Sequence, residues 1–285
     1  MKYLVLGCNG MAGHIISIYL KEQNHDVTGF ARTKSPYVPT IIGDAKDCEL
    51  LKGILIGGKY DAVINCIGIL NQFAEQNHAS ATFLNGYLPH YLVEITADFH
   101  TQVIHISTDC VFSGEKGGYT EESFPDGTTF YDRSKAIGEI CDNKNLTLRN
   151  SIVGPDIKPG GIGLLNWFMK QNGRVNGFTG AIWTGQTTLQ LAKTIEKAVE
   201  GRVSGLINAV PSKSITKYDL LKLFNKYLRK NEMEIIPVEG VCADKSLVRT
   251  NFKFDYNIPD YETMVMEMSD WMKQHKSLYP HYDLK

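Results

Sequence analysis

The chain has 285 residues, 43% of them hydrophobic, and 31 acidic against 30 basic side chains give it a net charge of −1. This length allows one large domain or two modest ones, and the near-neutral charge argues against a general nucleic-acid or anionic-membrane surface. No apolar run approaches the roughly 18–20 residues of a bilayer span. The six cysteines lack paired spacing. This favours reduced thiols in a cytoplasmic protein, and no structural metal site is predicted.

A short apolar strand is predicted at 2–6, and a glycine-rich turn follows it directly. The apolar run before Gly7 is much shorter than the roughly 7–15 residues of a secretion-signal core, which excludes a signal peptide. Beyond the turn, apolar residues recur at helical spacing. This order is typical of a loop that cradles phosphates, in which Gly7 forms the tight turn, Gly10 admits a pyrophosphate and Gly13 packs the helix on the strand. A turn without function is the alternative.

Further strands are predicted at 26–30, 39–42, 61–67, 102–106 and 146–151, with helices near 12–23, 47–56, 77–98 and 129–142 between them. Such alternation predicts an α/β fold with a Rossmann-type doubly wound parallel sheet, whose strands all end at one ligand-binding edge. We assign residues 1–155 to this dinucleotide-binding domain, with a returning strand near 205–210. Residues 156–285 are assigned mainly to a smaller substrate domain that interleaves with the first.

The end of the second predicted strand indicates which dinucleotide such a fold binds. An acidic residue there favours NAD, whereas a nearby arginine accommodates the 2′-phosphate of NADP. This strand ends near Arg32 and Lys34 without a carboxylate, which favours NADP(H) over NAD(H) unless both are only solvated surface charges. The residues predicted to bind the cofactor, besides Tyr131 and Lys135 discussed next, are Gly7, Asn9, Gly10, Met11, Gly13, Arg32, Asp44, Cys66, Ile67 and Gly68.

The catalytic candidates follow the fifth strand and lie on the helix after it. Ser107 and Thr108 stand at the strand end, and Tyr131 and Lys135 are four residues apart on the helix, so both share one face. Reduction of a ketone requires a proton, and a nearby ammonium lowers the phenol pKa from its ordinary value of about 10, so that tyrosine can supply that proton. We therefore predict Thr108, Tyr131 and Lys135 as catalytic residues, with a plain surface helix face as the alternative for the last two.

These motifs together resemble the extended short-chain dehydrogenase/reductases, and within them the dTDP-4-dehydrorhamnose reductase family. The motifs that carry the resemblance are Gly7-xx-Gly10-xx-Gly13, Ser107-Thr108-Asp109-Cys110-Val111-Phe112, Tyr119-x-Glu121 and Tyr131-xxx-Lys135. The resemblance covers most of the chain and is strongest over residues 1–155. It implies a C-terminal domain that holds a nucleotide-sugar, and NADPH-dependent reduction of a 4-keto-6-deoxy sugar at C4 for cell-surface polysaccharide precursors. It also implies a monomer or a homodimer.

Five residues are predicted on the substrate side: Ser107, Phe112, Arg149, Trp183 and Arg249. Arg149 could pair with the diphosphate or form an internal salt bridge. Trp183 could pack on a base or sugar, or belong to the core. Residues 113–128 could form a flap over the site.

Two departures from the family pattern bear on the reaction. Cys110 stands where the reductases usually carry an aromatic residue and where the related dehydratases carry a second acid, so we rank a dehydratase below a reductase. The first helix lacks the acid linked to a metal-bridged dimer in some members, so no metal is predicted. A nucleotide-sugar epimerase and a non-catalytic nucleotide-binding regulatory protein remain as alternatives.

Overall fold

The computed structural model describes residues 1–240 and 242–284, so the last residue of the predicted substrate domain, 285, lies outside it. Its strands in chain order are β1 Lys2–Leu6, β2 Asp26–Ala31, β3 Thr40–Ile42, β4 Ala62–Asn65, β5 Gln102–Ile106, β6 Leu146–Arg149, β7 Ser151–Val153, β8 Arg174–Phe178, β9 Ala181–Trp183, β10 Gly185–Thr187, β11 Gly205–Asn208, β12 Ile215–Thr216, β13 Glu234–Val238 and β14 Ala243–Asp244. The central sheet has the strand order β11-β6-β5-β4-β1-β2-β3, and its neighbours pair in parallel.

Helices cover both faces of this sheet. They are α1 Met11–Glu22, α2 Cys48–Gly58, α3 Asn71–Gln76, α4 His78–Ala81, α5 Leu88–Ile95, α6 Phe130–Ile137, α7 Leu164–Met169, α8 Thr188–Glu200, α9 Lys217–Leu228 and α10 Tyr261–Gln274. One face buries apolar side chains of α1, α8 and α10, such as Ile15, Leu191 and Met268. The other buries side chains of α2 and α5, such as Leu51 and Leu92. This is the doubly wound arrangement that the alternating pattern predicts.

The predicted strand at 146–151 is two strands in the structure. β6 ends at Arg149, and β7 starts at Ser151 and pairs with β10 instead of continuing in the central sheet. The apolar pattern alone does not show this change of partner, because β10 lies far along the chain. The change turns residue 150 toward the ligand-binding edge.

The single helix predicted near 77–98 is interrupted. Between α4 and α5 the segment Thr82–Tyr87 is a π-helix, and α5 carries Pro89 in its first turn. Proline lacks an amide hydrogen, so a regular i→i−4 ladder cannot pass through it. The irregular turn places Asn85 inside the fold, where its Nδ2 donates to the carbonyl of Ile69 at 3.0 Å and to Ser134 Oγ at 3.0 Å.

The helix predicted near 129–142 ends earlier, at Ile137. A Cβ on the next residue, Gly138, would collide with the carbonyl oxygen of Asn85, so the chain passes this point only as glycine. Among the described residues, no helix is both long and apolar enough to cross a membrane.

Candidate active site

The glycine turn joins β1 to α1 at the carboxyl edge of the sheet. Gly7 has a φ of 80°, a conformation that favours glycine, and its N–H donates to the carbonyl of Phe30 at 2.8 Å. A Cβ at Gly13 would collide with the carbonyl of Gly7, so helix and strand approach closely only without that side chain. A Cβ at Gly10 would meet just the Gly7 carbonyl oxygen, at 3.3 Å. These contacts confirm the local geometry predicted for the turn.

A cavity of about 660 Å³ opens beside this turn. It contains eight of the predicted cofactor residues, namely Gly7, Asn9, Gly10, Arg32, Asp44, Cys66, Ile67 and Gly68. Four polar residues that the sequence did not single out also line it: Thr33, Lys46, Ser80 and Lys158. Asn9 Nδ2 donates to the carbonyl of Thr33 at 2.8 Å, which ties the turn to the end of β2. We call this space the first cavity.

A second cavity, of about 400 Å³, brings the catalytic candidates together. It contains Ser107, Thr108, Tyr131 and Lys135, although these come from two elements that are distant in sequence. The predicted cofactor residue Met11 also lines it. It shares four residues with the first cavity, Gly10, Cys66, Ile67 and Gly68, so the two form one continuous groove along the sheet edge.

Thr108 begins a single 3₁₀ turn over Asp109–Val111. Its Oγ1 accepts a hydrogen bond from Cys110 N at 3.1 Å and donates to Asp109 Oδ1 at 3.1 Å. The hydroxyl is therefore oriented by its own turn at the wall of the second cavity. Asp109 is buried beside it, and burial raises the pKa of its carboxyl.

The first turn of α6 fixes the positions of Tyr131 and Lys135. Thr129 and Asp132 form a capping box at its start, and Tyr131 N donates to Glu75 Oε1 of α3 at 3.1 Å. Lys135 Nζ donates to the carbonyl of Ile106 at 2.8 Å. Burial lowers the pKa of Lys135 to about 8, against its ordinary value of 10.5.

The phenol of Tyr131 does not show the lowered pKa that the sequence predicts. Burial raises its pKa, and this effect outweighs a hydrogen bond with Thr108 that acts in the opposite sense. The reason is that the side chain is buried, with 7% of its surface exposed, whereas the ammonium of Lys135 is directed to a backbone carbonyl.

Behind Lys135 lies a buried polar pair that sequence reasoning missed. Asn65 and His105 are direct partners on β4 and β5, and Asn65 Nδ2 lies 3.3 Å from His105 Nδ1. His105 Nε2 lies 3.4 Å from Lys135 Nζ. Polar residues inside two otherwise apolar parallel strands were the available signal, since such strands are normally apolar throughout.

Arg149 forms an internal salt bridge, the second of the two roles considered for it from the sequence. Its Nε and Nη2 donate to the two carboxylate oxygens of Glu139, at 2.9 and 2.6 Å, and both side chains are buried. Ser107 Oγ donates to the same carboxylate at 2.6 Å. The guanidinium is thus paired within the fold, and it is not among the residues that line either cavity.

Phe112 and Trp183 are core residues. Phe112 is fully buried, stacks on Tyr119 with ring centroids 4.1 Å apart and lines neither cavity, so its role as a substrate contact stays a prediction. Trp183 is 4% exposed and packs on Tyr261, with Lys217 Nζ 5.1 Å from its ring centroid. Both aromatic rings therefore contribute buried apolar area to the core.

Arg249 lies in a separate cavity of about 540 Å³, apart from Tyr131. Its Nε and Nη1 donate to the carbonyls of Asn251 and Tyr256 at 3.0 and 2.8 Å. The structure therefore does not bring it together with the catalytic candidates.

Within the described residues, one group of side chains has metal-ligand character: His25, Glu196 and Glu200. Glu196 already accepts from Tyr19 at 2.8 Å and pairs with His25 at 2.9 Å. The group lies outside both cavities, and the absence of a metal stays a prediction.

A family model described as the RmlD substrate binding domain matches residues 1–153, more than half of the chain. The chain belongs to this family. The RmlD match includes the glycine turn and all three catalytic candidates, Thr108, Tyr131 and Lys135.

Two curated relatives extend the RmlD comparison. A probable low-salt glycan biosynthesis reductase of Haloferax volcanii is 36% identical over 143 residues, 49% of this chain and 48% of that protein. A dTDP-4-dehydrorhamnose reductase of Mycobacterium tuberculosis is 31% identical over 146 residues, 48% of this chain and 44% of that protein. The chain spans about half the length of the curated relatives it matches.

Solved structures resemble the chain over nearly its whole length. The dTDP-4-dehydrorhamnose reductase of Bacillus anthracis, in complex with NADP, matches with a TM-score of 0.78 at 19% identity, covering 94% of this chain and 98% of that one. At this identity the likeness concerns the fold, and it confirms the predicted Rossmann-type α/β architecture.

Proposed function

We propose that the protein is an NADPH-dependent reductase of the C4 ketone of a nucleotide-linked 4-keto-6-deoxy sugar. Its product would serve the synthesis of cell-surface polysaccharide precursors in the cytoplasm. In this proposal residues 1–155 mainly hold the cofactor, and residues 156–285 mainly hold the nucleotide-sugar.

One observation carries the proposal. Thr108, Tyr131 and Lys135 meet in a cavity that continues into the groove beside the glycine turn. A ketone placed there would lie within reach of a hydroxyl donor and a phenol proton, next to the cofactor groove. This combination is what carbonyl reduction requires of a protein.

The residues of the groove fit a dinucleotide phosphate. Gly10 has no side chain that would fill the groove, and α1 starts directly behind it. The free N–H groups of the first turn of α1 therefore favour an anion in the groove. Arg32 and Lys46 add positive charge in the first cavity. We infer that these groups hold NADPH, with the arginine on the side predicted for the 2′-phosphate.

When bound in the groove, NADPH would supply the hydride that the ketone carbon accepts. Thr108 Oγ1 fixes the ketone oxygen by turning its proton from Asp109 toward it. Tyr131 transfers its phenol proton to that oxygen, so that the product is an alcohol. The ammonium of Lys135 stabilises the phenolate left on Tyr131.

Two further residues in the second cavity support a sugar reductase. Asn150 is 2% exposed and lines the cavity, and its Oδ1 has no hydrogen-bond partner among the described residues, so a sugar hydroxyl could donate to it. Burial raises the pKa of Cys110 to about 12, so its thiol keeps its proton. A protonated thiol cannot serve as the base for elimination, which favours a reductase over a dehydratase.

The direct test is oxidation of NADPH and NADH with a panel of dTDP-, UDP- and GDP-linked 4-keto-6-deoxy sugars. We expect turnover with NADPH and with one nucleotide series. Binding of NADPH without turnover of any panel member would refute the reductase and favour an epimerase or a regulatory binding protein.

A further inference from the structure

We propose that Lys158 binds a phosphate group of the dinucleotide in the first cavity, which it lines together with the glycine turn. The inference rests on the proposed cofactor and adds a contact to it. Lys158 lies between β7 and α7, outside the residues 1–153 that the RmlD model matches. Neither the glycine motif nor the end of β2 points to this position.

The charges of the first cavity favour a ligand with more than one negative charge. Its charged lining residues are Arg32, Lys46 and Lys158 against the single carboxylate of Asp44. Lys46 Nζ donates to Ser80 Oγ at 2.7 Å. Lys158 Nζ, in contrast, has no hydrogen-bond or ion-pair partner among the residues that the structure describes. The Arg32 guanidinium likewise has no such partner among the described residues, so Arg32 and Lys158 are the cations in this cavity whose donors are available to a phosphate.

The backbone around Lys158 is held in place although its side chain is exposed. Lys158 N donates to Asp156 Oδ1 at 2.9 Å, and its carbonyl accepts from Gly161 N at 3.1 Å. Asp156 N donates to the hydroxyl of Tyr282 at 3.0 Å, and Tyr282 is 4% exposed. The lysine is thus presented from a fixed turn that is anchored on the buried C-terminal segment.

The same C-terminal segment also contacts the glycine turn. Tyr279 donates its hydroxyl proton to His14 Nε2 at 2.8 Å, and His14 Nδ1 donates to the carbonyl of Gly10 at 2.9 Å. Burial lowers the pKa of His14 to about 4, which keeps the imidazole neutral and able to accept from Tyr279. Tyr279 and Tyr282 therefore connect the glycine turn with the turn that carries Lys158, so a phosphate that contacts both turns meets preorganised groups.

The test compares dissociation constants of NADPH and NADH for the unsubstituted protein, Lys158→Ala and Lys158→Arg by calorimetry. Lys52→Ala is the matched control, because Lys52 is an exposed lysine of α2 that lies outside both cavities. We expect Lys158→Ala to weaken NADPH binding about tenfold, as for loss of one charge-assisted contact, and Lys158→Arg to restore most of it.

The two nucleotides distinguish which phosphate is bound. Weakening of NADPH alone assigns Lys158 to the 2′-phosphate, and equal weakening of both assigns it to the pyrophosphate. Dissociation constants equal to those of Lys52→Ala would overturn the inference and leave the reductase proposal standing. If the unsubstituted protein binds neither nucleotide, the inference and the proposed cofactor both fail.

Discussion

At the scale of single residues, Tyr131 is subject to two opposing demands. Catalysis needs a phenol that releases its proton readily, whereas burial raises the pKa of this phenol. The fold leaves Thr108 and Lys135 on the same cavity wall, so the groups that can assist that release are already in place. The role of Tyr131 can therefore be tested apart from its place in the packing.

Tyr131→Phe removes the proton donor and keeps the ring. We expect the turnover number to fall by a factor of roughly 10²–10⁴, the usual contribution of a general acid, while the dissociation constant of NADPH changes little. Initial rates and calorimetry measure the two quantities. Tyr87→Phe is the control, because Tyr87 is an exposed tyrosine with 47% of its surface accessible. Undiminished turnover in Tyr131→Phe would exclude the proposed mechanism.

The pKa of Lys135 sets an expected pH dependence. Its ammonium loses the proton as the pH rises through about 8, lower than the 10.5 of an ordinary lysine. Since the proposed role needs the charged form, kcat/KM should fall above this pH. Lys135→Arg keeps its charge over the whole range, so its profile should lack this decrease whatever its absolute rate. The same decrease in both proteins would assign the titration to another group.

At the scale of elements, β1 and α1 pack closely because Gly13 has no side chain. A Cβ at Gly13 would collide with the backbone of Gly7, which a flexible side chain cannot relieve. Gly53 in α2 has no atom within 4 Å of a Cβ built there. The two glycines therefore provide a matched pair.

Gly13→Ala should lower the free energy of unfolding by about 1–3 kcal/mol, the usual cost of overpacking, and weaken NADPH binding because the turn shifts. Gly53→Ala should instead raise stability by roughly 0.5–1 kcal/mol, because alanine is the better helix residue. Urea denaturation of the two variants measures both effects. Equal stability changes in the two would show that helix and strand separate without cost.

At the scale of the whole molecule, the C-terminal segment completes the core. Tyr279, Tyr282 and Leu284 are at most 5% exposed, and they follow α10 in the chain while packing in the same cluster as the N-terminal helix α1. Burying each such side chain contributes about 1.5–3 kcal/mol. Together these contributions approach the total stability of about 5–15 kcal/mol of a typical domain.

Removal of residues 279–285 should therefore lower the melting temperature strongly or prevent folding, as measured by thermal denaturation with circular dichroism. Tyr279→Phe is the milder companion, since it deletes only the hydrogen bond to His14 and should cost roughly 1 kcal/mol. A truncated protein that melts like the full chain would show that this segment is not part of the cooperative fold.

The sequence by itself determined the local features of this protein. The turn at Gly7–Gly13, the parallel strands and the spacing of Tyr131 and Lys135 all follow from short-range patterns, because period and glycine placement act within a few residues. These were enough to predict the Rossmann-type fold, part of the lining of the groove and the membership of the RmlD family.

Only the tertiary structure decided the pairings between distant segments. In the folded chain Arg149 forms a salt bridge with Glu139, and Phe112 and Trp183 are buried in the core. Lys158 lies at the first cavity. A charged or aromatic side chain has the same local pattern whether it meets a ligand or the protein interior. The outcome is fixed by which partner the fold buries beside it, and that partner lies far away in sequence.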